Sequence, residues 1–308
     1  MSLNRATLRQ LRALAATIRS GSVTAAAQEL NVTPPAVSLQ LKLLEELAGI
    51  ALLERAETGM RATGAGRELA DTALRIDALL SEAEDAIGAL KGARAGHVRV
   101  GVVSTAKYFS PRVLAAFKRA HPGVEIQLSV GNREQTIAAL ETFAIDFAVM
   151  GRPPNRFDVD RSIIGPHPHI IVAPPDHVLA RRRYIPPREL SSETFLMREP
   201  GSGTRMLTER LLADTGATPS IGMEIESNET IKQAVMAGLG IALLSAHTVS
   251  VELEDGRLVM LDVVGLPIMR QWFVVRRAER RMMPAAATLW EFFAAEGGSF
   301  LPQLVIEE

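Results

Sequence analysis

Three short stretches place hydroxyl, amide and glycine residues immediately before apolar-periodic segments: Val103-Ser104-Thr105, residues 198–205 (REPGSGTR) and residues 227–230 (SNET). At a helix start, unpaired N–H groups and the helix dipole favour an anion. Glu199, Gly201, Ser202, Gly203 and Thr204 belong to the second stretch, Asn228 and Glu229 to the third. Asn132, Gln135 and Thr136 are further candidate ligand-binding residues, and Lys107, Arg152 and Arg205 would add positive charge. The chemistry is capture of a small anion, phosphate or carboxylate. The plainer alternative is that these residues only cap helices, which Ser, Thr and Asn do widely.

A second set does a different kind of work. In NVTPPAVSLQLKLLE, residues 31–45, two prolines stand against a helical pattern. Pro34 at the first helical position costs little, because that N–H has no partner inside a helix. Pro35 is still in the first turn, and Thr33 is placed to cap. Val37, Leu41 and Leu44 make the buried stripe, leaving Thr33, Pro35, Ser38, Gln40 and Lys42 outward.

Two elements precede this helix. One carries Leu8, Leu11, Ala15 and Ile18 at helical spacing, with Thr7 as N-cap; the other is VTAAAQEL with Ser22 as N-cap. Three short helices with a tight turn before the third describe a helix-turn-helix, whose third helix enters a DNA major groove. LLERAETGMRAT reads as a hairpin wing turning at Thr58-Gly59, with Arg55 and Arg61 within reach of phosphates. The candidate DNA-binding residues are therefore Thr24, Thr33, Pro34, Pro35, Ser38, Gln40, Lys42, Arg55 and Arg61. Residues 1–67 hold eight Lys and Arg against five acids, a modest local excess in a chain of net charge −1. A small helical bundle with no DNA role is the alternative.

Next, Leu69, Ala73, Ile76, Leu80, Ala83, Ile87 and Leu90 repeat at 4-3 spacing, the seam of a coiled coil. Such a helix is ~40 Å long. Its six acids against one arginine over residues 68–90 direct it away from DNA. Dimerisation through the seam is expected; packing on its own domain is the alternative. KGARAG, 91–96, reads as a hinge.

From residue 97 strands and helices alternate twice, with a connector near 152–167 between the two runs. The order implies parallel sheet with helices on both faces, in two α/β lobes around a cleft. The expected fold is α/β behind an N-terminal all-α winged helix-turn-helix. The domains are 1–63 for the winged helix-turn-helix, 64–92 for the dimerising helix and 97–308 for the two-lobe part. Lobe I covers about 97–165 and 270–308, and lobe II about 166–269.

Composition narrows the function classes. The chain has 308 residues, 47% hydrophobic and 22% charged, and no cysteine. Thiol nucleophiles and cysteine metal sites are excluded, and a cytoplasmic protein with no membrane segment and no signal peptide is expected. GSGTRM lacks the last glycine of a dinucleotide fingerprint. His167 and His169 have no third ligand type nearby, so no metal is expected. Arg181–Arg183 and residues 276–281 read as solvated faces. Nothing composes a catalytic site, so no enzyme activity and no cofactor are expected.

The segments SVTAAAQELNVTPPAVSLQLKLLEELAGIALLER and RATGAGRELADTA, in this order before two α/β lobes, resemble the LysR-type transcriptional regulators. FLMREPGSGTRMLTER and GMEIESNETIKQAVMAGLGIALLS resemble the branch controlling carbon-fixation (Calvin-cycle, RuBisCO) operons. The resemblance implies a lobed domain like the periplasmic binding proteins, an activator role, a homodimer assembled into a homotetramer, and RNA polymerase as a further partner. It implies a dyad-symmetric operator that the protein bends and an effector that changes the bend. Effectors in that branch are metabolites such as ribulose bisphosphate, other sugar phosphates or NADPH. It also places Thr33, Pro35 and Ser38 at base and backbone contacts. Many members carry arginine after that serine; here Leu39 stands there, with Gln40 and Lys42 to compensate. The other class of function is a cytoplasmic small-molecule binding protein or α/β enzyme with an N-terminal oligomerisation bundle.

Overall fold

The computed structural model describes residues 3–56, 59–90 and 96–303. They form an N-terminal helical unit and a larger α/β unit, each taken by itself.

In the first unit, α1 (Leu8–Ser20), α2 (Val23–Glu29) and α3 (Pro34–Ala48) precede the strands β1 (Leu53–Ala56) and β2 (Gly59–Ala62) and the long helix α4 (Gly64–Leu90). The starts are local chemistry. Thr7 and Gln10 cap α1 reciprocally, and Ser22 accepts from Ala25 N at α2. Gly21 ends α1 in the left-handed conformation. Ala26 and Ala27 are almost fully buried, so the helices cross at close range.

Thr33 does not cap as the sequence suggests. Its hydroxyl makes no cap bond: Ala36 N, the donor three residues on that such a cap uses, gives its proton to the Thr33 carbonyl (3.0 Å), which also accepts from Val37 N (3.2 Å). Val37, Leu41 and Leu44 are buried. Glu45 Oε1 accepts from Leu52 N (2.8 Å) and Leu53 N (3.2 Å), tying the wing to α3. Met60 N donates to Gly21 O at 2.8 Å, and a Cβ at Gly59 would lie 2.5 Å from that same oxygen. Glycine is therefore required there. The turn residue Thr58 lies outside the described residues.

The α4 seam divides in two. Ala70 and Ala73 are buried in the helix-turn-helix core, with Leu69 and Ile76 packed against it. Leu80 and Ile87 are 38% and 51% exposed, and Ala83 is exposed. Packing on its own domain thus explains the first half of the seam and not the second. The side chain of Leu90 and the expected hinge at 91–95 lie outside the described residues.

The second unit runs β3 (His97–Val103), α5 (Ser110–Ala120), β4 (Glu125–Gly131), α6 (Arg133–Glu141), β5 (Phe147–Met150), β6 (Val159–Ala173), β7 (Thr194–Arg198), α7 (Gly203–Thr215), β8 (Ser220–Ile225), α8 (Asn228–Met236), β9 (Ala242–Ser245), α9 (Ser250–Glu254), β10 (Val259–Met260), β11 (Ile268–Arg277) and α10 (Pro284–Glu296). The main sheet has the order β10-β6-β11-β5-β3-β4, with β9 also on β6; β7 and β8 pair separately. β3 runs parallel to β4 and β5, whereas β11 is antiparallel to β5 and β6. The first lobe packs Phe117, Phe147, Trp272 and Phe293 around this sheet. The second packs Ile171, Phe195 and Ile241 on one side and Ile170, Ile231 and Leu244 on the other.

β6 and β11 are the two strands that pass between the lobes. β6 pairs with β11 over 159–169 and with β9 over 169–172. The sequence reads a connector at 152–167, but residues 159–167 are strand. Pro166 and Pro168 disguise it; they are tolerated because that part of β6 has a paired neighbour on one side only. The expected strand in GRLVMLDV shrinks to Val259–Met260. Nor is 276–281 a solvated face. Arg280 is 6% exposed and donates to Ile145 O at 2.7 Å, Arg277 Nη1 donates to Glu141 O, and Arg276 pairs with Asp160.

Candidate functional site

Between the lobes of the second unit lies a cavity of about 230 Å3. The first lobe gives Ser104 and Thr105 after β3, Asn132 and Arg133 at the start of α6, and Gly151 and Arg152 after β5. The crossing strands give His167, His169 and Arg270; the second lobe gives Ser202, Gly203, Thr204 and Arg210 at α7. Every strand end named is a carboxyl end, where α/β sheets bind ligands.

Charge is one-sided here. Arg133, Arg152, Arg210 and Arg270 line the cavity, and no Asp or Glu among the described residues does. Arg210 is 3.3 Å from Asp214 across a largely exposed pair. Arg152 and Arg270 enter no hydrogen bond or ion pair among the described residues. Burial, and then the charge of Arg152, lower the pKa of the Arg133 guanidinium. At Arg152 and Arg270 the wall thus carries positive charge that the protein leaves unpaired, beside the N-termini of α6 and α7.

Several residues expected in the site serve the frame around it. Asn132 and Gln135 cap α6 reciprocally, at 2.9 and 3.0 Å, and the Thr136 hydroxyl donates to Asn132 O. Of these three, Asn132 alone lines the cavity. Arg205 points away, held by Glu209 (2.8 Å), Glu224 and Arg198 O, because its helical neighbour Glu209 lies one turn on. Gly201, at φ +84°, offers its carbonyl to Glu134 N of the first lobe at 3.2 Å.

Beside the cavity the lobes are bridged. Arg198, 2% exposed, binds Glu199 at 2.8 Å, Glu226 O at 3.0 Å and the Asn228 side chain. From the first lobe, Ser104 Oγ accepts from Arg198 (3.5 Å) and Asn228 (3.4 Å). Glu229 takes the Tyr108 hydroxyl and Lys107, 3.4 Å away. Lys232, buried, joins Glu229 at 3.0 Å and Glu252 at 2.9 Å. Lys107, Asn228 and Glu229 therefore hold lobe to lobe, Glu199 holds Arg198 within the second lobe, and none of the four lines the cavity. Burial and the bond to Glu229 push the Tyr108 hydroxyl well above its ordinary pKa.

Sequence reasoning missed Arg133, Arg210, Arg270 and both histidines as cavity residues. His167 stacks on Trp272 at 3.7 Å and 14°, His169 lies 4.2 Å from His167, and Trp272 Nε1 donates to His247 Nδ1 at 3.0 Å. Burial lowers all three imidazoles, His169 to about 3 and His247 to about 4. No group of metal-ligating side chains assembles among the described residues.

In the first unit, Thr33, Pro34, Pro35, Ser38 and Lys42 are exposed on one side of α3, with Gln40 half-buried, and Leu39 is 54% exposed. Thr24 is exposed on α2. On the wing, Glu54 faces Arg61 and Arg55 faces Met60, so Arg55 and Arg61 point to opposite faces of the hairpin. One face of the wing thus presents one arginine, not two.

Two family models match the chain: the bacterial regulatory helix-turn-helix protein, lysR family, over residues 8–67, and the LysR substrate binding domain over residues 91–298. The HTH-type transcriptional regulator CbbR of Xanthobacter flavus is 53% identical over 97% of this chain and 90% of its own. The RuBisCO operon transcriptional regulator of Allochromatium vinosum is 43% identical over 94% and 96%. Among solved structures, the Synechocystis PCC6803 CcmR regulatory domain in complex with 2-PG is similar at TM-score 0.63 and 35% identity, over 65% of this chain and 96% of that one. No helix among the described residues is long and apolar enough to cross a membrane.

Proposed function

The chain belongs to the LysR family of DNA-binding transcriptional regulators, not to a family of enzymes, and from that premise we propose that it controls a RuBisCO operon in response to a small anionic metabolite held in its cleft. The observation that carries the ligand is the cavity wall: arginines and helix starts with no carboxylate among them. A phosphorylated metabolite fits that charge, and the similarity to a regulatory domain solved with 2-PG supports it. Thr33, Pro35, Ser38, Gln40 and Lys42 meet the DNA groove, with the Thr33 hydroxyl left unspent by the helix start.

The exposed apolar positions Leu80, Ala83 and Ile87 of α4 pair two chains, and two pairs make the tetramer. Anion binding biases lobe closure through the bridges at Arg198 and Glu229 and so changes how the DNA-reading helices engage their half-sites. A coupling of this kind is on the order of 1–3 kcal/mol. The test is a gel shift with DNA upstream of a RuBisCO operon, with and without sugar phosphates, at low and high salt. Binding at low salt that weakens with salt and changes mobility on adding ligand is expected. No binding at low salt contradicts the DNA target.

A further inference from the structure

Resting on the cleft reading above, we infer that His167 and His169 select the ligand by its hydroxyl groups, demanding a partner that both donates and accepts hydrogen bonds. They are specificity-determining residues, distinct from the arginines that hold the charge. Both line the cavity and are buried, at 4% and 5% exposure. Nδ1 and Nε2 of His167 and Nδ1 of His169 have no hydrogen-bond partner. Buried polar atoms in proteins are rarely left so, and free ones on residues that line a cavity point to what fills it.

The ring of His167 is held in place. It lies flat on Trp272, which is itself anchored by its bond to His247. A Cβ at Gly151 would lie 2.7 Å from His167 Nδ1, so the missing side chain at 151 lets that edge reach the end of β5. Burial, with the charges of His169, His247 and Arg270 adding to it, favours the neutral imidazole.

Neutral imidazole has one N–H and one lone pair. With both nitrogens of His167 free, either tautomer presents one donor and one acceptor. A bare anion supplies acceptors only, and would leave the lone-pair nitrogen unpaired or facing another lone pair. A hydroxyl supplies both. A site built to bond a hydroxyl rejects the analogue lacking it far more strongly than an apolar pocket rejects an added group.

The experiment is calorimetric titration of the full-length protein at pH 8 with glycerol 3-phosphate and with n-propyl phosphate, which match in charge and chain length. Glycerol 3-phosphate is expected to bind at least about tenfold more tightly. His167→Phe, which keeps a ring on Trp272, brings the ratio close to one by weakening glycerol 3-phosphate alone. His169→Phe, the second variant, narrows it in the same direction. Equal affinities in the unsubstituted protein overturn the inference and leave the anion cleft standing. A preference that survives both substitutions overturns it as well, since the selectivity then lies elsewhere. If neither ester nor inorganic phosphate binds, the anion cleft itself is wrong, and this inference goes with it.

Discussion

Arg198 ends β7 and Arg152 lies two residues past the end of β5, and the two differ in what surrounds them. Arg198 is buried among Glu199, Asn228, Ser104 and a carbonyl, with its donors taken. Arg152 is exposed beside a cavity with no carboxylate partner. One guanidinium is spent on joining lobes; the other is held in reserve. The general point is that a cation marks a binding site when its own fold has left it unpaired, not merely because it stands at a strand end.

Substitution sharpens that contrast most at Arg198. Arg198→Met strands Glu199 and Asn228, and a loss of about 3–5 kcal/mol in denaturant unfolding of the second unit is expected. Arg152→Met shifts stability by about 0.5 kcal/mol or less. It weakens phosphate binding about tenfold, the worth of one charge-assisted hydrogen bond. If both arginines behave alike in either assay, the contrast is broken.

The buried histidines extend the comparison to pH. Their folded pKa values are depressed, His169 to about 3 and His247 to about 4, while an unfolded imidazole sits near ~6.5. Between these values the unfolded chain binds more protons, so stability is complete above about pH 6.5 and falls as pH drops toward 4 and then 3. The loss over that window is on the order of a few kcal/mol. His169→Phe flattens the profile of melting temperature against pH. An unchanged profile means the histidines are not buried as neutral groups.

Spent and unspent groups recur along α4. Ile76→Asp strikes the helix-turn-helix core and lowers its melting temperature, whereas Ile87→Asp leaves folding intact and lowers the mass in sedimentation. Identical outcomes would mean the helix has one role. The smallest effect is at the DNA-reading face. Lys42→Ala costs about 1 kcal/mol of DNA affinity and reduces the salt slope by about one, read by titration at several salt concentrations.

What the sequence discloses follows the range of the interactions. The caps at Thr7, Ser22, Ser202 and Ser227 involve neighbours three residues on, and were legible. So were the buried stripe of α3 and the double proline that starts it. β6 was not, because its pairing with β11 joins residues about a hundred positions apart and its prolines read as breaks. The same distance hid the histidine cluster, which needs β6, β11 and the turn at His247 in one place. Arg205 misled for the opposite reason: a partner one helical turn away, Glu209, was in plain view and claims it.

The central claim is that the cleft's unpaired arginines receive an anion. Titration of inorganic phosphate into the full-length protein and into the Arg152→Met/Arg270→Met double variant tests it most directly. Saturable binding in the first, lost by tenfold or more in the second with melting unchanged, is the predicted result. Equal binding by the two proteins, or a double variant that fails only because it no longer folds, would contradict it.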